Sequence, residues 1–160
     1  VDHALFITKQ GMELIQRRIS HLMNNERPDV IKAVATAREF GDLSENAEYK
    51  AAREQQRAID GEIDYLRRRS ALLKVVDTDA FPRDMVRFGL CCETLEDETG
   101  EQIWYRIVGV EELNYAHEDG IQAVSVVSPI GKALMGKKEG EICTVQAPMG
   151  LRRLRILAVK

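Results

Sequence analysis

Two long stretches of helical periodicity, separated by one glycine and a few polar residues, constrain this chain more than anything else in it. In the second stretch, residues 44–75, Ala52, Gln56, Ile59, Ile63, Leu66, Ser70 and Leu73 recur at alternating steps of four and three. That is the seam along which one helix packs on another. In the first, residues 9–40, Met12, Ile15, Ile19 and Leu22, then Val30, Ala33, Val34 and Ala37, follow the same steps. So short a connection makes the two helices antiparallel neighbours. The chain is therefore expected to open as an antiparallel coiled-coil hairpin, roughly 45 Å long for about thirty residues.

Pro28 interrupts the first stretch, and a proline inside a helix costs about 3 kcal/mol. Either the helix breaks at residues 24–28 and restarts with Pro28 in its first turn, or one long helix bends there. Near the reversal the residues are small. Ala47, Ala51, Ala52 and Ala58 are expected to face Ala33, Ala35 and Ala37, allowing close approach. The larger Leu66, Leu72 and Leu73 lie further from it.

The reversal reads Gly41-Asp42-Leu43-Ser44-Glu45-Asn46-Ala47-Glu48-Tyr49. Asp42 and Ser44 are helix-start residues, and Asp42 and Glu45 stand at capping-box spacing. Capping alone accounts for most such pairs, because the carboxylates satisfy free amides and favour the positive end of the helix. The setting adds a second possibility. Two carboxylates on an outward hairpin end cannot form a hydrolytic centre, having no pocket to exclude water. They can complete a magnesium site whose other ligands come from elsewhere. Behind them Lys50, Arg53 and Arg57 fall on one helix face, with Arg38 on the opposing helix. Such cations are either a solvated face or a stripe that guides phosphates. Tyr49 beside them either packs on the loop or stacks on a base.

Beyond a linker, residues 75–83, the pattern changes. Strand-like segments cover 85–95, 103–110, 123–127, 141–147 and 151–159, with a hairpin signal at Asp97-Glu98-Thr99-Gly100. Ser128-Pro129 starts a short helix that ends at Gly136. The fold class is α+β, with a coiled-coil hairpin over residues 1–76 and a mostly antiparallel sheet with one short helix over 77–160. Net charge is −3, which gives no global argument for nucleic acid or membrane. Cys91, Cys92 and Cys143 are odd in number and lack metal-ligand spacing, so free buried thiols are expected. No apolar stretch reaches membrane-spanning length and no signal segment opens the chain, so a cytoplasmic protein is expected.

The reversal motif, followed by Ala52 and Glu54-Gln55-Gln56, closely resembles the signature of the bacterial Gre transcript-cleavage factors. The resemblance continues through Val75-Val76-Asp77, Phe88-Gly89, Tyr105-Arg106-Ile107-Val108-Gly109, Ser128-Pro129-Ile130-Gly131-Lys132-Ala133-Leu134 and Lys138-Glu139-Gly140-Glu141. It implies an FKBP-like second domain that docks at the rim of the RNA polymerase secondary channel, here through Ser128 and Pro129. It implies a finger that enters the channel and presents Asp42 and Glu45 as the active acids. These would share a magnesium ion with the polymerase, so that the polymerase cleaves its own backtracked nascent RNA. Ser44 and Asn46 are then neighbouring tip positions, and Arg38, Lys50, Arg53 and Arg57 face the RNA 3′ end. The resemblance implies a protein cofactor that is not itself an enzyme and holds no cofactor in isolation; a monomer is expected. The alternatives are a related channel occupant that inhibits without cleavage, a prolyl isomerase needing an aromatic-lined pocket, and a purely structural coiled coil.

Overall fold

The computed structural model describes residues 3–41 and 46–160. The chain divides into two compact units, and the division falls inside the first helix. Residues up to Leu14 join Leu73–Lys160 in one unit, and Ile15–Leu72 form the other. This places the opening residues with the sheet, whereas the sequence pattern alone grouped residues 1–76 together.

The helical unit is built from the part of α1 (Lys9–His21) beyond Leu14, from α2 (Arg27–Arg38) and from α3 (Ala47–Leu72). Leu22–Glu26, between α1 and α2, forms a π-helical turn in which the Arg27 N–H donates to the Leu22 carbonyl. Pro28 lies in the first turn of α2. Both sequence alternatives are thus partly realised: the backbone stays helical throughout, and the widened turn accommodates a proline that has no N–H to give. Arg18 braces the turn, donating to Glu26 and to Glu62 of α3, each at 2.8 Å.

The seam between the helices buries Ile19, Leu22, Val30, Val34 and Ala37 against Ala52, Ile59, Ile63 and Leu66. The expected band of alanines is narrower than the sequence suggested. Ala37 and Ala52 are buried, but Ala33, Ala35, Ala47, Ala51 and Ala58 face solvent. Seven alanines spread over two helices cannot all share a seam only two residues wide per turn. Leu72, at the far end of α3, is likewise exposed. The twenty-six residues of α3 make a helix roughly 39 Å long.

The other unit carries a five-stranded sheet in the order β5 (Ile121–Ser125), β4 (Gln102–Val108), β3 (Cys91–Glu96), β7 (Gly150–Val159), β6 (Ile142–Ala147). All pairs are antiparallel except β4 with β5. A parallel pair needs a crossover of about a dozen residues, and the chain between Val108 and Ile121 supplies it, including a 3-10 turn at Glu112–Asn114. One sheet face buries Cys92, Tyr105, Ile107, Val124, Cys143, Val145, Leu154 and Ile156, together with Val86, Phe88 and Leu134. Leu134 comes from α4 (Pro129–Leu134). Residues 85–90, expected as part of a strand, instead form turns, and β3 begins at Cys91.

A second, two-stranded parallel sheet pairs β1 (Phe6–Thr8) with β2 (Lys74–Val76), the latter overlapping the start of the expected linker. Glu112 fastens it. Its buried carboxylate accepts from the Thr8 N–H at 3.0 Å, the Thr8 hydroxyl at 2.5 Å and the Gly109 N–H at 2.7 Å. The Thr8 hydroxyl accepts in turn from the Gly11 N–H, capping α1. All three cysteines are free and buried. Among the described residues, no helix is long and apolar enough to cross a membrane.

Candidate nucleic-acid interface at the hairpin end

The end of the hairpin is organised by Asn46. Its side-chain oxygen accepts from the Tyr49 N–H at 3.0 Å, and its backbone carbonyl accepts from the Lys50 N–H. This is an N-cap, so Asn46 starts α3, two positions beyond the Ser44 that the sequence offered. Its side-chain amide donates to the Ala37 carbonyl at 2.7 Å. One residue therefore satisfies a free amide of α3 and gives the Ala37 carbonyl, which also accepts from the Phe40 N–H at 3.2 Å, a second donor, joining the two helices. Gly41 follows α2 with φ of 102°, a conformation that suits glycine. Asp42, Ser44 and Glu45 lie outside the described residues.

The N-cap holds the Tyr49 backbone, and two cations gather on its ring. The guanidiniums of Arg38 and Arg53 each lie over the ring, 5.7 Å from its centroid. Arg53 also donates to the Tyr49 hydroxyl at 2.8 Å. Hydrogen bonding from Arg38, then Arg53, favours the phenolate and holds the phenol below its ordinary range. The sequence placed Arg53 four residues after Tyr49, so their contact follows from helix geometry. Arg38 joins them only because α2 and α3 pack here.

Arg38 and Arg53 line a groove of about 510 Å³ between α2 and α3, with Ile31, Val34, Ala35, Gln56, Arg57 and Asp60. Asp60 is engaged by Arg27 at 2.7 Å. Three of the four predicted basic residues are thus brought to one groove; the fourth, Lys50, is exposed and does not line it. Among the described residues no cluster of three or more metal-ligating side chains occurs.

Ser128 and Pro129 belong to the sheet unit. Ser128 caps α4: its hydroxyl accepts from the Gly131 N–H and donates to the Ser125 carbonyl at 2.6 Å. A Cβ at position 131 would stand 2.0 Å from the Ser125 carbonyl oxygen, which explains the glycine in Ser-Pro-Ile-Gly. With the serine hydroxyl engaged internally, the outward groups of this turn are Pro129 and Val127.

Comparison with known proteins places both parts of the chain in one family. Residues 5–75 match the family model described as transcription elongation factor, N-terminal, and residues 81–160 match transcription elongation factor, GreA/GreB, C-term. Transcription elongation factor GreA of Acidiphilium cryptum is 42% identical over 156 residues, covering 96% of each chain. The GreA of Methylococcus capsulatus is 43% identical over 155 residues, again covering 96% of each. Among solved structures, the chain is similar to GreA factor homolog 1 (Gfh1) of Thermus thermophilus, at 22% identity and a TM-score of 0.43, covering 98% of each chain. A GreA/GreB factor from Nitrosomonas europaea aligns at 17% identity and a TM-score of 0.41, covering 98% of this chain and 97% of its own. With both parts of the chain matched in order by models of the same family, the class is that of a transcription elongation factor. The chain belongs to the GreA/GreB family.

Proposed function

We propose that this factor binds bacterial RNA polymerase through its secondary channel and stimulates cleavage of backtracked nascent RNA. The sheet unit docks at the channel rim through the turn that carries Ser128 and Pro129. The helical hairpin carries Asp42 and Glu45 to the polymerase active centre. The protein is not itself a nuclease; it activates the polymerase's own phosphodiester chemistry, acting as a monomer in the compartment where transcription occurs.

The observation that supports this most is the character of the hairpin end. It holds two guanidiniums, Arg38 and Arg53, that no described carboxylate neutralises, directly beside a sequence bearing two acids. Cations of that kind suit the backbone of an RNA strand, and acids of that kind suit a shared metal. As a donor set, Asp42 and Glu45 are hard oxygen ligands, right in type for magnesium and too few to hold it alone. They would contribute to an ion whose remaining ligands belong to the polymerase and the RNA. When bound, that ion supplies charge stabilisation for the phosphodiester displacement. This chain's own part is to deliver two carboxylates and to steady the displaced 3′ end.

The test is competition together with cleavage. The Asp42→Ala/Glu45→Ala variant should displace wild type from backtracked complexes at about equal concentration yet release no RNA fragment above background. A variant that cleaves like wild type would remove the acids from the mechanism. If wild type binds without cleavage, the factor is instead an inhibitory occupant of the channel.

A further inference from the structure

Three arginines of the helical hairpin pair with carboxylates: Arg18 with Glu26 and Glu62, Arg27 with Asp60, Arg68 with Asp64. Arg38 and Arg53 are held by a ring instead. Among the described residues neither has a carboxylate at ion-pair distance, and both converge on Tyr49. A carboxylate and an aromatic ring do different things to a guanidinium. Both restrict its motion, but the carboxylate cancels its charge and the neutral ring leaves that charge available.

We propose that Tyr49 is a positioning residue: its ring and hydroxyl hold the Arg38 and Arg53 guanidiniums, one from each helix and neither ion-paired among the described residues, as a pair that takes a phosphodiester of the RNA strand. This inference rests on the reading of the hairpin end as the part that faces RNA. The guanidinium fork matches phosphate geometry, which makes arginine rather than lysine the suited residue. Left free, each long side chain would lose rotamer freedom on binding, and two like charges would spread apart. Tyr49 removes both costs before the RNA arrives. The chain of support is continuous. Asn46 joins the helices and caps α3, the cap holds the Tyr49 backbone, and Tyr49 gathers the two arginines. Arg57 extends the positive wall of the same groove, while Asp60 within it is occupied by Arg27.

The experiment uses a backtracked elongation complex with a photoreactive nucleotide at the RNA 3′ end. It compares the full-length wild type with Y49F, Y49L, R38A/R53A and Y49L/R38A/R53A. Two ring–guanidinium contacts are together worth about tenfold. Y49L should therefore lower the maximal cleavage rate at saturating factor about tenfold while the half-saturating concentration stays unchanged. Y49F, which keeps the ring, should lie within about threefold of wild type. In the R38A/R53A background, Y49L should cause no further loss. A Y49L rate equal to wild type overturns the inference, and so does an equal loss in that background, because Tyr49 would then act independently of the arginines. If Y49L does not fold, as judged by its melting curve, Y49Q takes its place under the same criteria. If wild type stimulates no cleavage, the reading of function fails by itself, and cross-linking decides the inference separately. A 3′-end cross-link weakened about tenfold by Y49L supports it; one that is unchanged, or absent from wild type, overturns it.

Discussion

Replacing Asn46 with alanine should loosen the hairpin end by about 2 kcal/mol. The magnitude follows from its two side-chain bonds. Losing the N-cap acceptor of the Tyr49 N–H costs about 1 kcal/mol. Losing the donor to the Ala37 carbonyl costs about another 1 kcal/mol, the net value of a typical hydrogen bond. Serine separates the two parts, because its hydroxyl can cap α3 but is too short to bridge to α2. N46S should therefore lose about 1 kcal/mol, half the loss of N46A. Because the chain has two compact units, a global melt can mix their transitions. Native-state hydrogen exchange at the Tyr49 and Lys50 amides reads the local opening directly. Protection of both amides should fall about thirtyfold in N46A and about fivefold in N46S. Protection in N46A within twofold of wild type would refute the reasoning, as would equal loss in both variants.

Three further predictions follow from the same geometry. Glu112→Ala leaves three donors without a buried acceptor and should destabilise the sheet unit by about 3 kcal/mol or more, read by urea denaturation; Gly109→Ala, whose Cβ would meet the Phe6 carbonyl oxygen at 2.2 Å, should fail at the same place. Tyr49 should ionise below the ordinary tyrosine range because Arg38 and Arg53 favour the phenolate. In a difference titration against Y49F at 295 nm the transition should lie at lower pH than for free tyrosine, and R38A and R53A should each move it up; no movement in either would contradict the contacts. Burial pushes the Cys92 thiol up to about 12, so the native protein at pH 8 should leave Cys92 unmodified by iodoacetamide, which requires thiolate, and urea should expose it.

Much of the architecture was legible because it depends on period. Ile59, Ile63 and Leu66 lie on the heptad-like seam and are buried as that spacing requires. Ser128-Pro129 and Gly136 bracket α4 because capping and left-handed termination are local chemistry. What was not legible depends on distant partners. Phe6–Thr8 is too short to announce itself as a strand and becomes one only by pairing with Lys74–Val76. Glu112 looks like any surface glutamate until Thr8 and Gly109 are brought to it. The alanines misled because composition does not state which two of them face the seam.

At the site, the four basic residues were visible as charge. The separation of Arg38, Arg53 and Arg57 from Lys50 required the groove between α2 and α3. Asn46 stood in the sequence as a tip residue, and its place as the joint between two helix ends came only with the Ala37 carbonyl. One signal was available: Asn46 precedes Tyr49 by the three residues of an N-cap bond, and Tyr49 precedes Arg53 by four. The clearer Asp42–Glu45 spacing drew attention away from it.

The most direct test of the central claim is fragment release from a stalled, backtracked polymerase complex carrying RNA labelled near its 3′ end, with magnesium present. Wild type should release short 3′ fragments rapidly. The Asp42→Ala/Glu45→Ala variant, bound to the same extent, should release them no faster than polymerase alone. Fragment release by the variant at the wild-type rate, or none by bound wild type, would contradict the account.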